Sequence, residues 1–385
     1  MAGIYIHVPF CKQACHYCNF YFSTSLGNKP RYLQALLKEI ELSKDYLAGE
    51  PIETLYFGGG TPTSLEVSEL KQIVEALQKH YDLSKLQEFT LEANPDDLTA
   101  AKVEELKQLL PYGLNRFSIG IQSFFEEDLR YMNRVHNAEE APASIKRVQD
   151  AGFSNLTIDL IYGTPTMNNE RWLQNLQQAF ALQVPHISSY ALTVEPKTGL
   201  ENKIRKKMAL PVNEEQSAQQ FQLLMQQMQL AGYEQYEISN FAKPGAYAVH
   251  NTNYWRGKKY LGLGPSAHSF NGPARRWNVA NNILYIEGLQ KGVLPYEEEV
   301  LTPAQQINER LMTGLRTMWG VRMVDFGMPI FDLETNTTMP AAHLIERSLQ
   351  EIDPAYYTYK DGVLTLTPQG KLFADGIAAQ LFIEE

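Results

Sequence analysis

The sequence lacks several features that would place the protein in other classes. No apolar run approaches the ~20 residues of a membrane-spanning helix, and the N-terminus has no charged-then-apolar signal pattern. Basic residues are also outnumbered: 34 Lys and Arg against 44 Asp and Glu give a formal net charge of −10. There is therefore no general basic surface for nucleic acid. These absences predict a cytoplasmic protein, in which thiols stay reduced, with no nucleic-acid partner.

Cysteine is scarce, and all of it is in one place. The chain has only Cys11, Cys15 and Cys18, directly after an alternating apolar strand that Pro9 ends. Three thiolates in one short loop suit a metal or an iron–sulfur cluster. A closed structural zinc site usually takes four ligands, and here it would need His7 or His16 as the fourth. On a four-iron cluster, three cysteines would leave one iron without a protein ligand.

Strand and helix patterns alternate from this loop to about residue 230. The predicted strands lie at 4–8, 54–57, 89–91, 116–119, 156–161 and 186–192, and the predicted helices at 31–47, 67–81, 100–110, 126–132, 141–151, 171–182 and 214–230. Repeated strand–helix units predict an α/β fold with a parallel sheet and right-handed crossovers. Polar residues cluster just after the strands, where α/β barrels place their active sites.

The rest of the chain has a different character. Residues 233–278 are aromatic, rich in glycine and predicted to be loop-like, and helices are predicted at 303–318, 341–352 and 369–381. A hairpin is predicted at 356–366, because Asp361-Gly362 is a favoured two-residue turn. Helix, hairpin and helix predict a small winged-helix-like C-terminal domain, and the acidic chain favours a scaffold or partner role for it over DNA binding. The predicted divisions are a core at 1–235, a connecting region at 236–300 and a C-terminal domain at 301–385.

The motif Cys11-x3-Cys15-x2-Cys18 after a first strand, with Tyr17 before the last cysteine, resembles the radical S-adenosylmethionine (SAM) superfamily. The resemblance implies an incomplete (β/α)6, TIM-like barrel in which the cysteines hold a [4Fe–4S] cluster. It also implies that SAM chelates the open iron and that an electron donor reduces the cluster. Electron transfer then cleaves SAM to a 5′-deoxyadenosyl radical, which is chemistry that the cofactor supplies.

The same resemblance assigns the SAM contacts. Gly58-Gly59-Gly60-Thr61-Pro62 follows the second strand, where glycines let the backbone approach a ligand closely. Carboxylates and amides at later strand ends are expected to bind ribose hydroxyls and the amino group, and an arginine is expected to pair with the SAM carboxylate. Each of these residues, taken alone, would more often be a helix cap or part of a surface pair. The expected SAM-binding residues are Tyr5, Tyr17, Gly59, Gly60, Thr61, Glu92, Gln122, Arg134 and Asp159.

The placement of these residues resembles one group within the superfamily, with two main branches. One branch is the oxygen-independent coproporphyrinogen III dehydrogenase of haem synthesis, whose loop typically continues to a fourth cysteine two residues after the third. This chain has Phe20 at that position and enters its first strand at about residue 4, without the dehydrogenase's N-terminal extension. Both departures favour the other branch, the HemW-type haem chaperones. A radical SAM enzyme with another substrate is the third alternative.

The stretch from His250 to Trp255 resembles the His-Asn-x-x-Tyr-Trp motif of the HemW branch, which is linked to haem binding. An imidazole can ligate haem iron, and a Tyr–Trp pair offers flat apolar contact to the macrocycle. The alternative is that His250 and Asn251 cap a turn while the aromatic residues fill the core. His268 is a second candidate ligand, and His136 and His186 could equally be core or cap residues.

The resemblance therefore implies a cytoplasmic protein that binds haem as cargo and passes it to haem-acceptor proteins such as respiratory enzymes. Such delivery implies transient membrane contact, although the sequence has no anchor. The competing prediction is oxidative decarboxylation by a coproporphyrinogen III dehydrogenase. Whether SAM is cleaved during haem transfer is left open.

Overall fold

Six parallel strands form the centre of a 12-stranded mixed sheet in the computed structural model, which describes residues 1–332 and 336–384. Each strand pairs in parallel with the next along the chain. The six strands are β1 (Ala2–Val8), β2 (Ile52–Gly59), β3 (Glu88–Ala93), β4 (Arg116–Gln122), β5 (Asn155–Tyr162) and β6 (His186–Ala191). Their parallel pairing confirms the predicted α/β fold class.

One or two helices follow each of these strands, as the alternation of patterns predicts. They are α1 (Lys29–Leu42), α2 (Val67–His80), α3 (Ala100–Leu106), α4 (Glu126–Met132), α5 (Glu140–Asp150), α6 (Asn169–Ala181), α7 (Gly199–Arg205) and α8 (Glu214–Leu230). The helix predicted at 100–110 is shorter, because a 3₁₀ segment, Lys107–Tyr112, replaces its second half. Pro111 lies inside this 3₁₀ segment and has no amide hydrogen to donate, so a regular α-helix cannot continue through it.

The sheet continues on both sides of the parallel strands. The added elements are β7 (Glu234–Glu237), β8 (Asn240–Ala242), α9 (Val249–Trp255), β9 (Tyr260–Leu263), β10 (His268–Phe270), β11 (Ala274–Asn278), α10 (Asn282–Gln290) and β12 (Tyr296–Val300). Strand β8 pairs with β6, and β9 pairs with β1. In the described part of the chain the sheet runs open from β12 to β7. The predicted incomplete barrel is confirmed.

The prediction that 233–278 is loop-like is wrong, since this stretch forms five strands and α9. Its strands have only three to five residues, too few for a period of two to stand out in the sequence. Gly262, which reads as a loop residue, lies in β9 where a Cβ atom would come within 2.0 Å of the His268 carbonyl oxygen. Glycine at this position marks a close approach of two strands.

Two buried carboxylates hold the added elements on the barrel. Glu39 of α1 accepts hydrogen bonds from the Gly264 amide, the Asn278 side chain and the Tyr285 hydroxyl, at 2.5–2.7 Å. Glu88 of β3 accepts the backbone amides of Val249 and His250 at the first turn of α9, at 2.7 and 3.0 Å. Negative charge at a helix N-terminus is stabilising. The position of α9 is therefore fixed from the barrel interior.

The C-terminal region has its own buried hydrophobic cluster. Its elements are α11 (Pro303–Leu315), β13 (Val321–Arg322), β14 (Pro329–Asp332), β15 (Thr337–Pro340), α12 (Ala341–Leu349), β16 (Tyr357–Lys360), β17 (Val363–Leu366) and α13 (Ala374–Gln380). The predicted hairpin forms β16 and β17, and β13 extends it to three strands. This agrees with a winged-helix-like domain. The exact divisions at residues 235 and 300 stay a prediction, and residues 333–335 and 385 of the third range lie outside the described chain.

None of the described helices combines the length and apolar character needed to cross a membrane.

Candidate functional site

A cavity of about 410 Å³ lies at the carboxyl ends of the six parallel strands, and we call it the strand-end cavity. It brings together 11 of the residues predicted from the sequence. They are Cys11, Cys15, Tyr17, Cys18, Gly59, Gly60, Thr61, Glu92, Gln122, Arg134 and Asp159. Parallel strands place their carboxyl ends at one edge, so residues far apart in sequence meet there.

The cysteine loop forms one wall of this cavity. Backbone hydrogen bonds fold the loop, from the Cys11 amide to the Ser23 carbonyl (3.1 Å) and from the Cys18 amide to the Cys15 carbonyl (3.3 Å). Burial raises the pKa of the Cys11 thiol to about 11, although a hydrogen bond with Thr61 opposes the shift. A thiol in such surroundings ionises when a metal takes the place of its proton.

The geometry does not support the zinc alternative. In the residues that the structure describes, no group of three or more His, Cys, Asp or Glu side chains stands close enough to hold one metal ion. Both ring nitrogens of His7 are hydrogen-bonded, to the Tyr5 hydroxyl (3.0 Å) and the Tyr21 carbonyl (2.8 Å). The His16 Nδ1 bonds the Tyr131 carbonyl at 2.9 Å. A cluster differs from a single ion because each thiolate ligates its own iron.

The glycine stretch after β2 packs directly against the start of the cysteine loop. The Gly60 amide donates to the Val8 carbonyl (2.8 Å), and the Thr61 amide donates to the Phe10 carbonyl (2.7 Å). A Cβ on Gly60 would lie 2.7–2.8 Å from backbone atoms of Val8 and Phe10. Gly59 has φ of 100°, a backbone conformation that suits glycine. These glycines therefore let two loops meet at the cavity wall.

Two carboxyl groups face the cavity from β3 and β5. Glu92 accepts from the Tyr56 hydroxyl (2.6 Å) and the Gly59 amide (3.2 Å). Burial, with a smaller contribution from the neighbouring Asp159, raises the pKa of Glu92 to about 7, although the hydrogen bond from Tyr56 opposes the shift. Burial likewise raises the pKa of Asp159 to about 6. Such groups can accept hydrogen bonds from hydroxyl or amino groups of a ligand.

Two buried polar atoms in the same place have no hydrogen-bond partner among the described residues and could bind a polar ligand. Arg134 donates to Asn94 (2.6 Å), the Gly120 carbonyl (2.9 Å) and the Cys15 sulfur (3.3 Å), but its buried Nε has no partner among the described residues. In the same part of the chain, the buried Oε1 of Gln122 also has none. Gln122 has φ of 66° and lies at a register shift between β4 and β5. Bulges of this kind re-aim side chains beside active sites.

Sequence reasoning missed several residues of the cavity wall. They are Tyr56, Asn94, Asp96, Ser118, Ser188, Tyr190 and Asn251. Ser118, Gly120 and Gln122 alternate along β4, and Ser188 and Tyr190 do so along β6. A period of two places them on one face of the sheet. Small or polar residues at alternate positions of otherwise buried strands were the available signal.

Two predicted residues do not line this cavity. Tyr5 lies outside it, with its hydroxyl on His7. His250 is 2% exposed, and its ring nitrogens bond the Thr54 hydroxyl and the Tyr254 hydroxyl, both at 2.7 Å. Burial lowers the pKa of His250 to about 3. Neither nitrogen is open to an iron in this arrangement, so its role as a haem ligand stays a prediction with no geometric support.

A second cavity, of about 1050 Å³, lies between β9–β11, α9 and α11, and we call it the aromatic cavity. Tyr5 lines it, together with Tyr254 and Trp255 of α9. Asn19 and Phe20 line both cavities. Helix α9 also borders both, because Asn251 faces the strand-end cavity. The two cavities are therefore neighbours, separated by α9 and the end of the cysteine loop.

Comparison with known proteins follows this geometry. The profile of the radical SAM superfamily matches residues 5–179. The protein "Heme chaperone HemW" of Bacillus subtilis is 38% identical over 83% of this chain and 85% of its own length. The chain belongs to the HemW family of radical SAM proteins. The protein of the same name from Mycobacterium tuberculosis is 31% identical over 98% of this chain and 94% of its own length.

Among solved structures, coproporphyrinogen III oxidase (HemN) from Escherichia coli matches with a TM-score of 0.81. The match covers 99% of this chain and 90% of that one at 21% identity. At this identity the likeness shows a shared fold. This chain and HemN therefore share one architecture, including the C-terminal region.

The strand-end cavity fits the cofactors that membership of this family implies. Its wall carries three thiols, the carboxyl groups of Glu92, Asp96, Asp159 and Glu195, and the Arg134 and Gln122 atoms that have no partner among the described residues. The volume of the cavity, about 410 Å³, lies within the range of about 300–1000 Å³ that is typical of sites for small molecules such as SAM. The residues present therefore suit a cluster beside a polar, cationic ligand.

The raised pKa of Glu92 gives a test of this electrostatic environment. A buried carboxyl group with a raised pKa makes the folded protein less stable as pH rises. The loss begins at the ordinary pKa of the carboxyl group and continues to its pKa in the folded state, here about 7. Glu92→Gln does not titrate. Both proteins are measured without SAM. We expect the melting temperature of the variant minus that of wild type to be about 2–4 °C larger at pH 8 than at pH 5. Thermal unfolding followed by circular dichroism measures this difference.

The matched control is Glu287→Gln, which alters an exposed carboxylate on α10. Its melting temperature should stay parallel to that of wild type across the same pH range. A Glu92→Gln curve that also stays parallel would mean that Glu92 is not a group with a raised pKa.

Proposed function

We propose that this protein is a haem chaperone that carries a [4Fe–4S] cluster and SAM and delivers haem to haem-dependent acceptor proteins. The observation that carries the proposal is the similarity to proteins named "Heme chaperone HemW", which extends over 85% and 94% of two relatives' lengths. Respiratory enzymes are the acceptors we expect, and an electron donor is expected to reduce the cluster.

In this proposal Cys11, Cys15 and Cys18 hold the cluster, which when bound can supply an electron to SAM. Arg134 holds its position beside Cys15 through Asn94 and the Gly120 carbonyl, so its guanidinium can pair with the SAM carboxylate. Glu92 and Asp159 accept hydrogen bonds from amino and hydroxyl groups. The remaining predicted contacts, Tyr17, Gly59, Gly60, Thr61 and Gln122, complete the wall around the ligand.

The second candidate is coproporphyrinogen III dehydrogenase, which the HemN-like fold keeps open. Phe20 favours the chaperone, because a phenylalanine stands two residues after Cys18, where the dehydrogenase loop typically has a further cysteine. Phe20 is 67% exposed, and it borders both cavities.

A paired assay separates the two functions. Anaerobically reconstituted protein is titrated with haem and is separately incubated with coproporphyrinogen III, SAM and a reductant. We expect one haem bound per chain and no decarboxylated product. HemN under the same conditions serves as the positive control. Efficient decarboxylation by this protein would overturn the chaperone proposal in favour of the dehydrogenase.

A further inference from the structure

The aromatic cavity has a composition that differs sharply from the rest of the chain. Nine of the 28 described residues that line it are Phe, Tyr or Trp, about a third, whereas these residues make up 11% of the sequence. Its volume of about 1050 Å³ is at the upper end of small-ligand sites, which span about 300–1000 Å³. Wide, flat aromatic walls suit a large planar ligand.

The cavity is also cationic in an acidic protein. Five basic side chains line it, against the carboxylates of Glu309 and Asp325. Three of the five are paired with carboxylates: Lys258 with Glu53, Arg275 with Glu309 and Arg322 with Asp325.

The other two are Arg256 and Arg310. Arg256 lies 4.2 Å over the Trp319 ring, and Arg310 donates to the Asp325 carbonyl at 3.3 Å. Neither forms an ion pair with a described carboxylate. Two guanidinium groups that have no ion-pair partner among the described residues suit a ligand with two carboxylates.

The wall of the aromatic cavity also contains His268, whose ring forms no hydrogen bond with the described residues. His268 of β10 is exposed, and among the described residues neither of its ring nitrogens is hydrogen-bonded. The ring stands beside Trp277, with centroids 6.3 Å apart, and β10 pairs with β11 on that side. The other histidine of the cavity, His7, has both nitrogens bonded.

From this arrangement we infer that the aromatic cavity is the cargo site, in which His268 ligates the iron of a planar metalloporphyrin and Arg256 and Arg310 bind its two propionates. The inference rests on the proposed haem-chaperone function and names the site of its cargo. It assigns His250 a positioning role: its ring holds Tyr254, whose own ring lines the cavity. The cargo then lies beside the strand-end cavity, across Asn19, Phe20 and α9.

The test is a titration with ferric haem, followed by visible absorption and electron paramagnetic resonance after subtraction of the cluster spectrum. His268→Ala is expected to weaken haem binding at least about tenfold, the lower end of what losing even a supporting group costs a metal site. The spectrum of its bound haem should lose the signature of a protein imidazole. Added imidazole should restore that spectrum, which a misfolded variant would not allow. His343→Ala, an exposed histidine in α12, is the matched control and should behave as wild type.

The arginines are tested by the double variant Arg256→Gln, Arg310→Gln. We expect its haem affinity to fall about tenfold or more, because charge-assisted hydrogen bonds to the ligand are lost. Arg130→Gln, an exposed arginine of α4 outside the cavity, is the control and should leave affinity unchanged.

The outcomes distinguish a failure of the proposed haem-chaperone function from a failure of the cargo-site inference. Wild-type protein that takes up no haem would overturn the proposed function itself. Wild-type protein that binds haem, while His268→Ala binds it with the same affinity and spectrum, would overturn this inference and leave the function standing. Loss of the imidazole signature in a folded His250→Ala variant with His268 intact would also overturn it.

Discussion

Cys15→Ala is expected to lose the iron–sulfur cluster after anaerobic reconstitution. Cys15 is one of only three cysteines, and its sulfur receives the Arg134 guanidinium at 3.3 Å in the wall of the strand-end cavity. A cluster with three protein ligands has no spare thiolate in this chain. Iron content and visible absorption should both fall about tenfold or more, as expected when a metal site loses a direct ligand.

The contrasting variant is His16→Ala, next to Cys15 in the sequence. Its ring bonds the Tyr131 carbonyl, so its removal should leave the cluster in place. A Cys15→Ala protein with the full absorption of wild type would contradict the cluster assignment. Loss of metal in His16→Ala, with folding intact, would instead favour a mixed cysteine–histidine site.

Gly60→Ala is the second substitution with a large expected effect. The added Cβ would meet the Val8 carbonyl oxygen and the Phe10 amide nitrogen and carbonyl oxygen at 2.7–2.8 Å, and backbone atoms cannot rotate away from it. We expect a destabilisation of about 1–3 kcal/mol or more. Because Phe10 precedes Cys11, the displaced backbone should also reduce the iron retained after reconstitution. Thermal unfolding and iron content measure the two effects.

Gly27→Ala is the matched control for this substitution. Gly27 follows the cysteine loop, and a Cβ there would have no atom within 4 Å. It should keep the melting temperature and the iron content of wild type. If Gly60→Ala were equally neutral, the close packing of the glycine stretch on the cysteine loop would not determine the geometry of the site.

The sequence was most informative where chemistry and periodicity coincide. The alternation of strands and helices predicts the six parallel strands, and 11 of the residues expected from the sequence and from the family resemblance line the strand-end cavity. Helices α4 and α8 begin and end at the predicted residues. Such elements can be read because one repeating pattern extends over the whole segment.

The sequence was least informative between residues 233 and 278. The strands there are short, and glycines that look like loop residues instead allow backbones to approach each other. Contacts such as that of Glu88 with α9 join residues about 160 positions apart and leave no local pattern. The aromatic cavity is likewise built from β1, α9, β9–β11 and α11, so no single stretch of sequence indicates it.

The stretch from His250 to Trp255 forms most of α9, between the two cavities. Its histidine is buried between Thr54 and Tyr254, with its ring stacked on Tyr56 at 4.9 Å. Its asparagine faces the strand-end cavity, while its tyrosine and tryptophan face the aromatic cavity. The motif is therefore placed to connect the two cavities through one short helix.

Haem transfer is the measurement that tests the proposed chaperone function most directly. Haem-loaded protein, with its cluster reconstituted and SAM present, is mixed with the haem-free form of a respiratory haem enzyme, and both absorption spectra are followed. We expect haem to leave this protein and to appear in the acceptor in equal amounts, with recovery of the acceptor's activity, faster than from free haem. Haem that stays bound, or an acceptor that fills no faster than from free haem, would contradict the account.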